Sequence, residues 1–230
     1  MFQLNKEFGL YKKYGLIFLL VCFQGFLGWY MVSSGLVERI DVSHYRLAIH
    51  LVTAFIILSI VYWQFLKLSY YANKTISNDL FIVKIFLFLL FLQLIIGAFV
   101  SGMDAGKIYN TWPLMGVNYF PDDSSFKDFL NLKVFDNPSI VQFIHRNLAY
   151  LIVVFYAVIL LKVINSRNKK LYKPIIIIGL TLVFQIFLGV ITILSGVKML
   201  FASLHQINSI LIILSTLYFI FISQYKREIN

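Results

Sequence analysis

Six long apolar stretches constrain this 230-residue chain more than any other feature of its sequence. Each is roughly 20 residues long, the length that an α-helix needs to cross the hydrocarbon core of a bilayer. Only 13% of the residues are charged, against about 25% in a soluble domain, so a soluble enzyme is excluded. We therefore predict an all-α integral membrane protein whose six transmembrane helices cover residues 14–32, 45–66, 80–100, 140–161, 174–195 and 200–222.

Lysine and arginine are concentrated on one side of the predicted bundle. A net charge of +10 would suit a nucleic-acid-binding protein, but the basic residues lie in the short gaps between apolar stretches and do not form one patch. No nucleic-acid partner is predicted. The positive-inside rule places both termini in the cytoplasm and the 36-residue connection 103–138 on the outer side.

Three histidines are predicted to lie at one depth in the membrane. His50, His145 and His205 each follow the outer end of a helix, and these three helices run in the same direction. Ionisable side chains within a membrane span are rare and usually face the bundle interior. The alternative for each imidazole is a hydrogen bond to a neighbouring helix. His44 lies in the connection before the second helix and is predicted to be solvated.

A repeated motif precedes each of these histidines. The first helix contains FQGFLG at residues 23–28 and the fifth contains FQIFLG at residues 184–189, and each is followed by a helix that opens with histidine. Gln93 and Gly97 form the related pair in the third helix, before the helix with His145. The repeats run in the same direction, which is typical of halves related by an axis along the membrane normal.

The repeat predicts the organisation of the chain. Residues 79–230 form a complete four-helix bundle, and residues 1–78 form half of a second bundle of the same kind. By this pattern, two further helices, one of them with a histidine, belong before the first helix. The two units are related as parallel internal repeats.

Histidines that face each other across a four-helix bundle favour heme. Facing helices can supply both axial imidazoles, whereas zinc would need a third or fourth ligand. Arg46 lies one turn before His50, and Arg146 adjoins His145. Each guanidinium suits a heme propionate, and the alternative partner is a lipid phosphate.

Several motifs together resemble heme A synthase of the proteobacterial and mitochondrial type. The resemblance covers essentially the whole chain, and the order and spacing of the motifs are specific. The motifs are GWYMVSSGLV at 28–37, YRLAIH at 45–50, DAG at 104–106, YNTWP at 109–113, QFIHR at 142–146 and HQ at 205–206.

The resemblance implies an oxidoreductase with eight helices in two halves. It implies that His145 and His205 are the axial iron ligands of a heme b cofactor, with Arg146 beside it. It also implies that His50 binds the iron of the substrate, heme O, with Arg46 nearby. The family oxidises a methyl group of heme O to the formyl group of heme A for cytochrome oxidase assembly.

The family context also suggests partners and a location. Heme O synthase, cytochrome oxidase assembly factors and a second copy of the chain are the expected partners, besides the lipid bilayer. A composition rich in Ile, Lys, Asn and Phe favours a bacterial inner membrane over the mitochondrial one.

One family motif has no match in this sequence. The Glu-x-x-His-Arg motif of the family's first two helices, whose glutamate takes part in catalysis by resemblance, does not occur here, so the catalytic residues are unassigned. We therefore expect this chain alone to bind heme b without making heme A. The alternative functions are a heme-binding electron carrier, an inactive fragment or a transporter.

Overall fold

The computed structural model describes residues 2–35, 41–69, 72–74, 80–131 and 133–227. All six of its long helices are long and apolar enough to cross a membrane, which confirms the predicted all-α class and the number of spans. The helices are α1 (Phe2–Val32), α2 (His44–Ser69), α3 (Phe81–Gly102), α4 (Pro138–Ser166), α5 (Lys169–Leu194) and α6 (Met199–Gln224).

The helices extend beyond the apolar stretches that predicted them. α1 begins at Phe2, well before residue 14, and α5 begins at Lys169 and continues through Pro174. Hydropathy marks where a helix enters hydrocarbon, whereas the backbone hydrogen bonds continue into the polar interface. Helix ends are set by capping groups instead. The Asn137 side chain, for example, accepts hydrogen bonds from the backbone of Ser139 and Ile140 at 3.0 and 3.2 Å.

Two short strands pair at one end of the bundle, which we call the strand end. Strand β1 (Ala72–Lys74) follows α2, and β2 (Tyr225–Arg227) follows α6; they run antiparallel. These strands were not predicted, because three residues are too few to produce an alternating pattern. Their pairing joins the connection between α2 and α3 to the end of α6.

Packing is densest among α3, α4, α5 and α6. Phe86 of α3 and Phe219 and Phe221 of α6 are among the largest fully buried side chains. α2 packs against α3 and α6, and α1 packs against α2. In the apolar window of α6, 44% of the residues are buried, against 6% in that of α1. The chain therefore has a well-covered group of helices and one peripheral helix.

The connection between α3 and α4 lies at the opposite end, which we call the loop end. It contains three 3-10 helices, Ala105–Lys107, Phe126–Leu130 and Val134–Asp136. Asp123 accepts a 2.6 Å hydrogen bond from the hydroxyl of Ser139, the second residue of α4. The backbone amide of Asp123 also lies 3.4 Å from the Tyr109 hydroxyl. These contacts fold the connection back onto the helices.

Hydrogen bonding outweighs burial at Asp123. Partial burial raises the pKa of its carboxyl group. Hydrogen bonds from Ser139, Tyr109 and Ser124 together lower the pKa by more than burial raises it, so the net pKa lies below the ordinary value. Burial and the same carboxylate raise the pKa of Tyr109. The connection is therefore held partly by an ionised aspartate.

Candidate functional site

His145 of α4 and His205 of α6 face each other in the interior of the helix group. Their ring centroids are 6.5 Å apart and the rings are inclined at 65°. Each histidine lies about two turns into its helix from the loop end. The structure thus brings together two of the three histidines that the sequence places at one depth, the two that the family resemblance pairs.

Each histidine rests against the glutamine of the preceding helix. In all three repeats the glutamine side chain lies within hydrogen-bonding distance of a ring nitrogen of the histidine. The shortest such distances are 3.1 Å for Gln24 and His50, 3.3 Å for Gln93 and His145, and 3.2 Å for Gln185 and His205. The repeated motif is therefore a local structural unit, which we call the Gln–Gly–His unit.

The glycine of each unit makes room for the imidazole ring. A Cβ atom placed at Gly28, Gly97 or Gly189 would lie 3.1, 3.2 or 3.0 Å from the Cε1 atom of its histidine. These distances are shorter than ordinary carbon–carbon contacts, so any side chain there would push the ring away. In each unit the glycine lies four residues after the glutamine, about one helical turn. Because glycine has no side chain, the imidazole ring packs directly against the helix backbone there.

The hydrogen bonds define the protonation of two of these rings. An amide nitrogen only donates, so the Nε2 atoms of His145 and His205 accept and carry a lone pair. His205 donates from Nδ1 to the carbonyl oxygen of Gln185 at 3.1 Å. In the described part of the chain, the buried Nδ1 of His145 has no hydrogen-bond partner.

The His50 unit lacks an opposing ring. The Gln24 amide donates to the carbonyl oxygen of His50 at 2.8 Å and lies near both of its ring nitrogens. Among the described residues, His145 and His205 are the two histidines whose rings contact each other, and the ring of His50 is not part of that contact. His50 therefore lies apart from the other two, between α1 and α2.

Arg146 connects the histidine pair to the loop end. It is 7% exposed, and its guanidinium donates to the carbonyl oxygens of Tyr109, Thr111 and Leu114 at 3.0, 2.9 and 3.2 Å. The neighbouring Gln142 also donates to the Tyr109 carbonyl, at 3.0 Å. The YNTWP and QFIHR motifs, which are about 30 residues apart in sequence, thus meet directly at the loop end.

Arg46 has a different environment. It is partly exposed, its guanidinium lies 3.9 Å from the centre of the Tyr30 ring, and it donates to the Tyr30 carbonyl at 2.9 Å. Ser33 lies at 3.5 Å from the same nitrogen. These contacts tie the beginning of α2 to the end of α1, on the same side as His50.

The prediction that His44 is solvated was wrong. Its Nε2 lies 3.3 Å from the Asp136 carboxylate, and its side chain is only 16% exposed. The ring also packs against Tyr45 and Phe99, with centroid distances of 4.1 and 5.3 Å. The reason is that the loop returns to α2 just before α4 begins, a contact that local sequence does not encode.

Asn208 belongs to the site but was not predicted. It follows His205 by three residues, is 3% exposed and donates to the Thr181 carbonyl and the Gln185 side chain at 2.9 and 2.7 Å. A signal was present, because an asparagine within an apolar span is costly unless it has partners. The predicted site residues were only the histidines and arginines of the motifs.

The donor set of the paired site fits a heme iron. Two unprotonated Nε2 atoms on facing helices are the ligands of a bis-imidazole heme, and no cluster of three His, Cys, Asp or Glu residues occurs among the described residues. The two ring centroids are 6.5 Å apart, so the two imidazoles are close enough to be reached by one metal ion. If heme iron bound here, it would replace the glutamine amide group as the partner of each Nε2 atom.

A comparison with models of protein families gives a match over most of the chain. A family model described as cytochrome oxidase assembly protein, COX15-CtaA, matches residues 2–217. The chain belongs to this family. The match includes all three Gln–Gly–His units, both arginines and the whole connection at the loop end.

Three similar curated proteins share the name heme A synthase. A heme A synthase of Pelagibacter ubique (strain HTCC1062) is 48% identical over 209 residues, which are 89% of this chain and 60% of that protein. A heme A synthase of Wolbachia pipientis wMel is 43% identical over 86% of this chain and 56% of that protein. A heme A synthase of Rickettsia bellii (strain RML369-C) is 37% identical over 87% of this chain and 61% of that protein. The chain thus spans about 60% of the length of these relatives.

Proposed function

We propose that this chain carries out the heme A synthase reaction, in which a methyl group of heme O is oxidised to the formyl group of heme A. The missing Glu-x-x-His-Arg motif leads to the opposite expectation, that the chain alone binds heme b without making heme A, and the experiment below separates the two. The observation that carries the proposal is the His145–His205 pair, two facing imidazoles 6.5 Å apart inside a membrane-spanning bundle. The curated relatives named heme A synthase support the choice of reaction.

In this proposal His145 and His205 would hold a heme b cofactor through its iron. When bound, that group supplies one-electron chemistry. The two histidines orient it, and the apolar core around them, with Val141 and Ile213 fully buried, excludes water. Arg146 provides a buried positive charge beside His145, which favours an anionic propionate group, while its donors hold the loop end closed.

His50 and Arg46 are the proposed contacts for the substrate heme. The Gln–Gly–His unit around His50 repeats the one around each ligand of the pair, so the same local geometry is available for a second iron. Arg46 lies one turn earlier at the loop end, beside the Tyr30 ring. It is the cation that suits the propionates of the second heme.

The charge distribution supports an orientation in the membrane. The basic residues concentrate at the strand end, which we place in the cytoplasm together with both ends of the chain, in a bacterial inner membrane. The loop end then faces the outer side. Heme O synthase, cytochrome oxidase assembly factors and a second copy of the chain are the proposed partners.

The test is expression of this chain in a bacterial strain that makes heme O but lacks its own heme A synthase. Extracted hemes are separated by chromatography, and an inactive control carries His145→Ala and His205→Ala together. Accumulation of heme A in the parent and not in the control supports the proposal. Heme O alone contradicts it for this chain.

A second candidate function is heme b binding without chemistry of its own. The arrangement at His50 favours it, because the described residues offer that imidazole no second histidine across the bundle. The same experiment separates the two functions. Heme b that co-purifies with the chain while heme O stays unconverted supports the second candidate.

A further inference from the structure

A cluster of four phenylalanines lies at the loop end of the bundle. It consists of Phe120, Phe126 and Phe129 of the connection between α3 and α4, and of Phe143 of α4, and we call it the Phe cluster. The ring centroid of Phe120 lies 4.5 Å from that of Phe126 and 5.1 Å from that of Phe143. The centroids of Phe129 and Phe143 are 6.2 Å apart. Because Phe126 is still 74% exposed, the connection presents a packed aromatic surface outward.

The connection descends along α4 to the depth of its apolar stretch. The Tyr119 ring lies 5.7 Å from that of Phe143, and the Tyr119 hydroxyl donates a 2.6 Å hydrogen bond to Oδ1 of Asn147. The Asn147 amide donates in turn to the Phe143 carbonyl at 2.9 Å. The apolar stretch of α4 begins at residue 140, so Asn147 lies about 10 Å further along the helix axis at about 1.5 Å per residue. Tyr119 is therefore level with the part of α4 that crosses the membrane.

The Phe cluster is continuous with the outward face of α4. Phe143 shares this face with Tyr150, Val154, Val158 and Leu161, which follow it at intervals of seven, four, four and three residues. Val154 and Leu161 are 57% and 59% exposed. Since α4 is long and apolar enough to cross a membrane, this exposed apolar face contacts lipid. The Phe cluster extends the same surface toward the loop end.

The 3-10 helix Phe126–Leu130 has the composition of a segment that lies in the membrane interface. Phe126, Phe129 and Leu130 are its apolar residues, and Leu130 is 88% exposed. Lys127, which is also exposed, lies between the two phenylalanines in the sequence. Aromatic side chains are enriched at membrane–water interfaces, where a lysine keeps its ammonium group at the level of the lipid headgroups. These residue types favour phospholipid as the partner of the exposed surface.

We propose that the Phe cluster and Leu130 anchor the connection between α3 and α4 in the lipid leaflet at the loop end. Their apolar side chains contact acyl chains just below the headgroups, and the Lys127 ammonium group contacts a lipid phosphate. The depth of Tyr119 and the continuity with the lipid-facing side of α4 support this choice of partner. A protein that covered the same surface would be a different partner, and in its absence the surface would lie in water.

The lipid anchor and the Arg146 contacts hold two parts of the same connection against α4. Arg146 donates to the carbonyl oxygens of Thr111 and Leu114, in the first part of the connection. Phe143 and Asn147 contact the part that begins at Tyr119. The connection thus becomes part of the membrane-embedded structure, and lipid contributes to keeping it in place.

The first experiment measures whether Leu130 lies in lipid or in water. The full chain, with its single native cysteine removed by Cys22→Ser, carries Leu130→Cys with a nitroxide spin label and is placed in phospholipid nanodiscs. Power saturation in electron paramagnetic resonance compares collisions with oxygen, which concentrates in lipid, and with a nickel chelate, which stays in water. Lys107→Cys is the matched control, because Lys107 is an exposed residue of another 3-10 helix in the same connection.

We expect oxygen collisions to exceed nickel collisions at the Leu130 label and the reverse at the Lys107 label. Leu130 is not one of the four phenylalanines, so its label reports depth without removing a ring of the Phe cluster. A Leu130 label that is as accessible to the nickel chelate as the Lys107 label would overturn the proposal.

The second experiment tests whether the Phe cluster causes the insertion. In the Leu130-labelled chain, Phe126→Ser together with Phe129→Ser is expected to raise nickel accessibility to the level of the Lys107 label. Phe126→Leu together with Phe129→Leu keeps apolar side chains and should keep the label in lipid, which separates lipid contact from ring packing. Val117→Ser is the matched control, at an 83% exposed position of the connection outside the Phe cluster, and should change nothing.

A label that stays in lipid in the serine pair, or that moves to water in the leucine pair, would show that the phenylalanines do not act as an apolar anchor. Circular dichroism checks that the helices of each variant are intact. If the serine pair does not fold, the labelled parent and the leucine pair still decide the question. None of these measurements involves heme, so the anchor and the proposed function stand or fail separately.

Discussion

The His50 unit and the His145–His205 pair differ in their surroundings more than in their local structure. All three histidines lie on a glycine and within hydrogen-bonding distance of a glutamine, at nearly identical distances. Yet His145 and His205 face each other among α3 to α6, whereas His50 lies between α2 and the peripheral helix α1. The same unit holds an imidazole in both regions, but only the facing arrangement makes a two-ligand site.

The two regions also differ in how their arginines are used. Arg146 is buried and spans three loop carbonyls, so the loop end closes over the paired site. Arg46 is partly exposed and stacks on Tyr30. The region of Arg146 is therefore covered by the loop and that of Arg46 is more open, and the following substitutions test that difference.

The largest expected difference concerns the histidines themselves. We expect the chain, purified with heme b, to give a low-spin ferrous spectrum that disappears in His145→Ala and in His205→Ala. His50→Ala should keep the spectrum, since that ring is not part of the pair. An unchanged low-spin spectrum in both of the first two variants would show that the pair does not bind the iron.

The glycines provide the next test. In Gly189→Val the new side chain begins 3.0 Å from His205 Cε1, so the ring must tilt, and we expect heme b affinity to fall about 10–100-fold. Gly28→Val displaces His50 instead and should leave heme b affinity unchanged. Gly25→Val is the matched control on α1, because a Cβ atom at Gly25 meets nothing within 4 Å. Equal losses in all three variants would mean that the effect is general helix destabilisation.

The arginines should differ in their contribution to stability. Arg146→Met leaves three loop carbonyls without a charged donor, and we expect a loss of about 3 kcal/mol in the free energy of unfolding. Arg46→Met removes one carbonyl contact and one ring contact at a partly exposed position, for which about 1 kcal/mol is expected. Denaturant titration of the two variants in the same detergent measures both values. A larger loss for Arg46→Met would reverse the distinction between the covered and the open region.

The smallest expected effect is a pH dependence of the loop end. The folded-state pKa of Asp123 is lower than the ordinary value, so its stabilising contribution is present above about pH 4 and is lost as the pH falls through the folded pKa. Because the carboxyl group is exposed, we expect less than about 1 kcal/mol. The measurement is the rate of pepsin cleavage within 103–137, which should rise more steeply below pH 4 in the parent than in Asp123→Asn. Identical pH profiles would show that Asp123 does not contribute to loop closure.

Much of the fold was predictable because the bilayer restricts what a segment can form. A stretch of 20 apolar residues has to satisfy its own backbone in hydrocarbon, so hydropathy indicated all six helices. Helix starts were less accurate, as at Phe2 of α1, because hydropathy does not measure capping or interfacial turns. The pairing of β1 with β2 depends on residues about 150 positions apart, which no local pattern indicates.

The candidate site was partly predictable for a related reason. Matched depth follows from counting residues along helices of known direction, so it singles out His50, His145 and His205 together, and the four-helix pattern and the family resemblance then pair His145 with His205. The contacts of Asn208 and His44 were not predicted, since both depend on how separate helices and the loop are positioned laterally. The sequence gives the depth of a residue in the membrane, whereas its lateral position depends on how the helices pack.

The sequence by itself determined the membrane-spanning class, the six helices, the family and the repeated Gln–Gly–His unit, because each of these follows from the order of residues along one helix or a helix pair. The tertiary structure alone decided how closely the rings of His145 and His205 approach, which arginine is buried and which glutamine side chain Asn208 contacts. The physical reason is that identical units acquire different partners when helices pack. A lone pair, a proton or a guanidinium is directed by the nearest group across the interface and not by its neighbours in sequence.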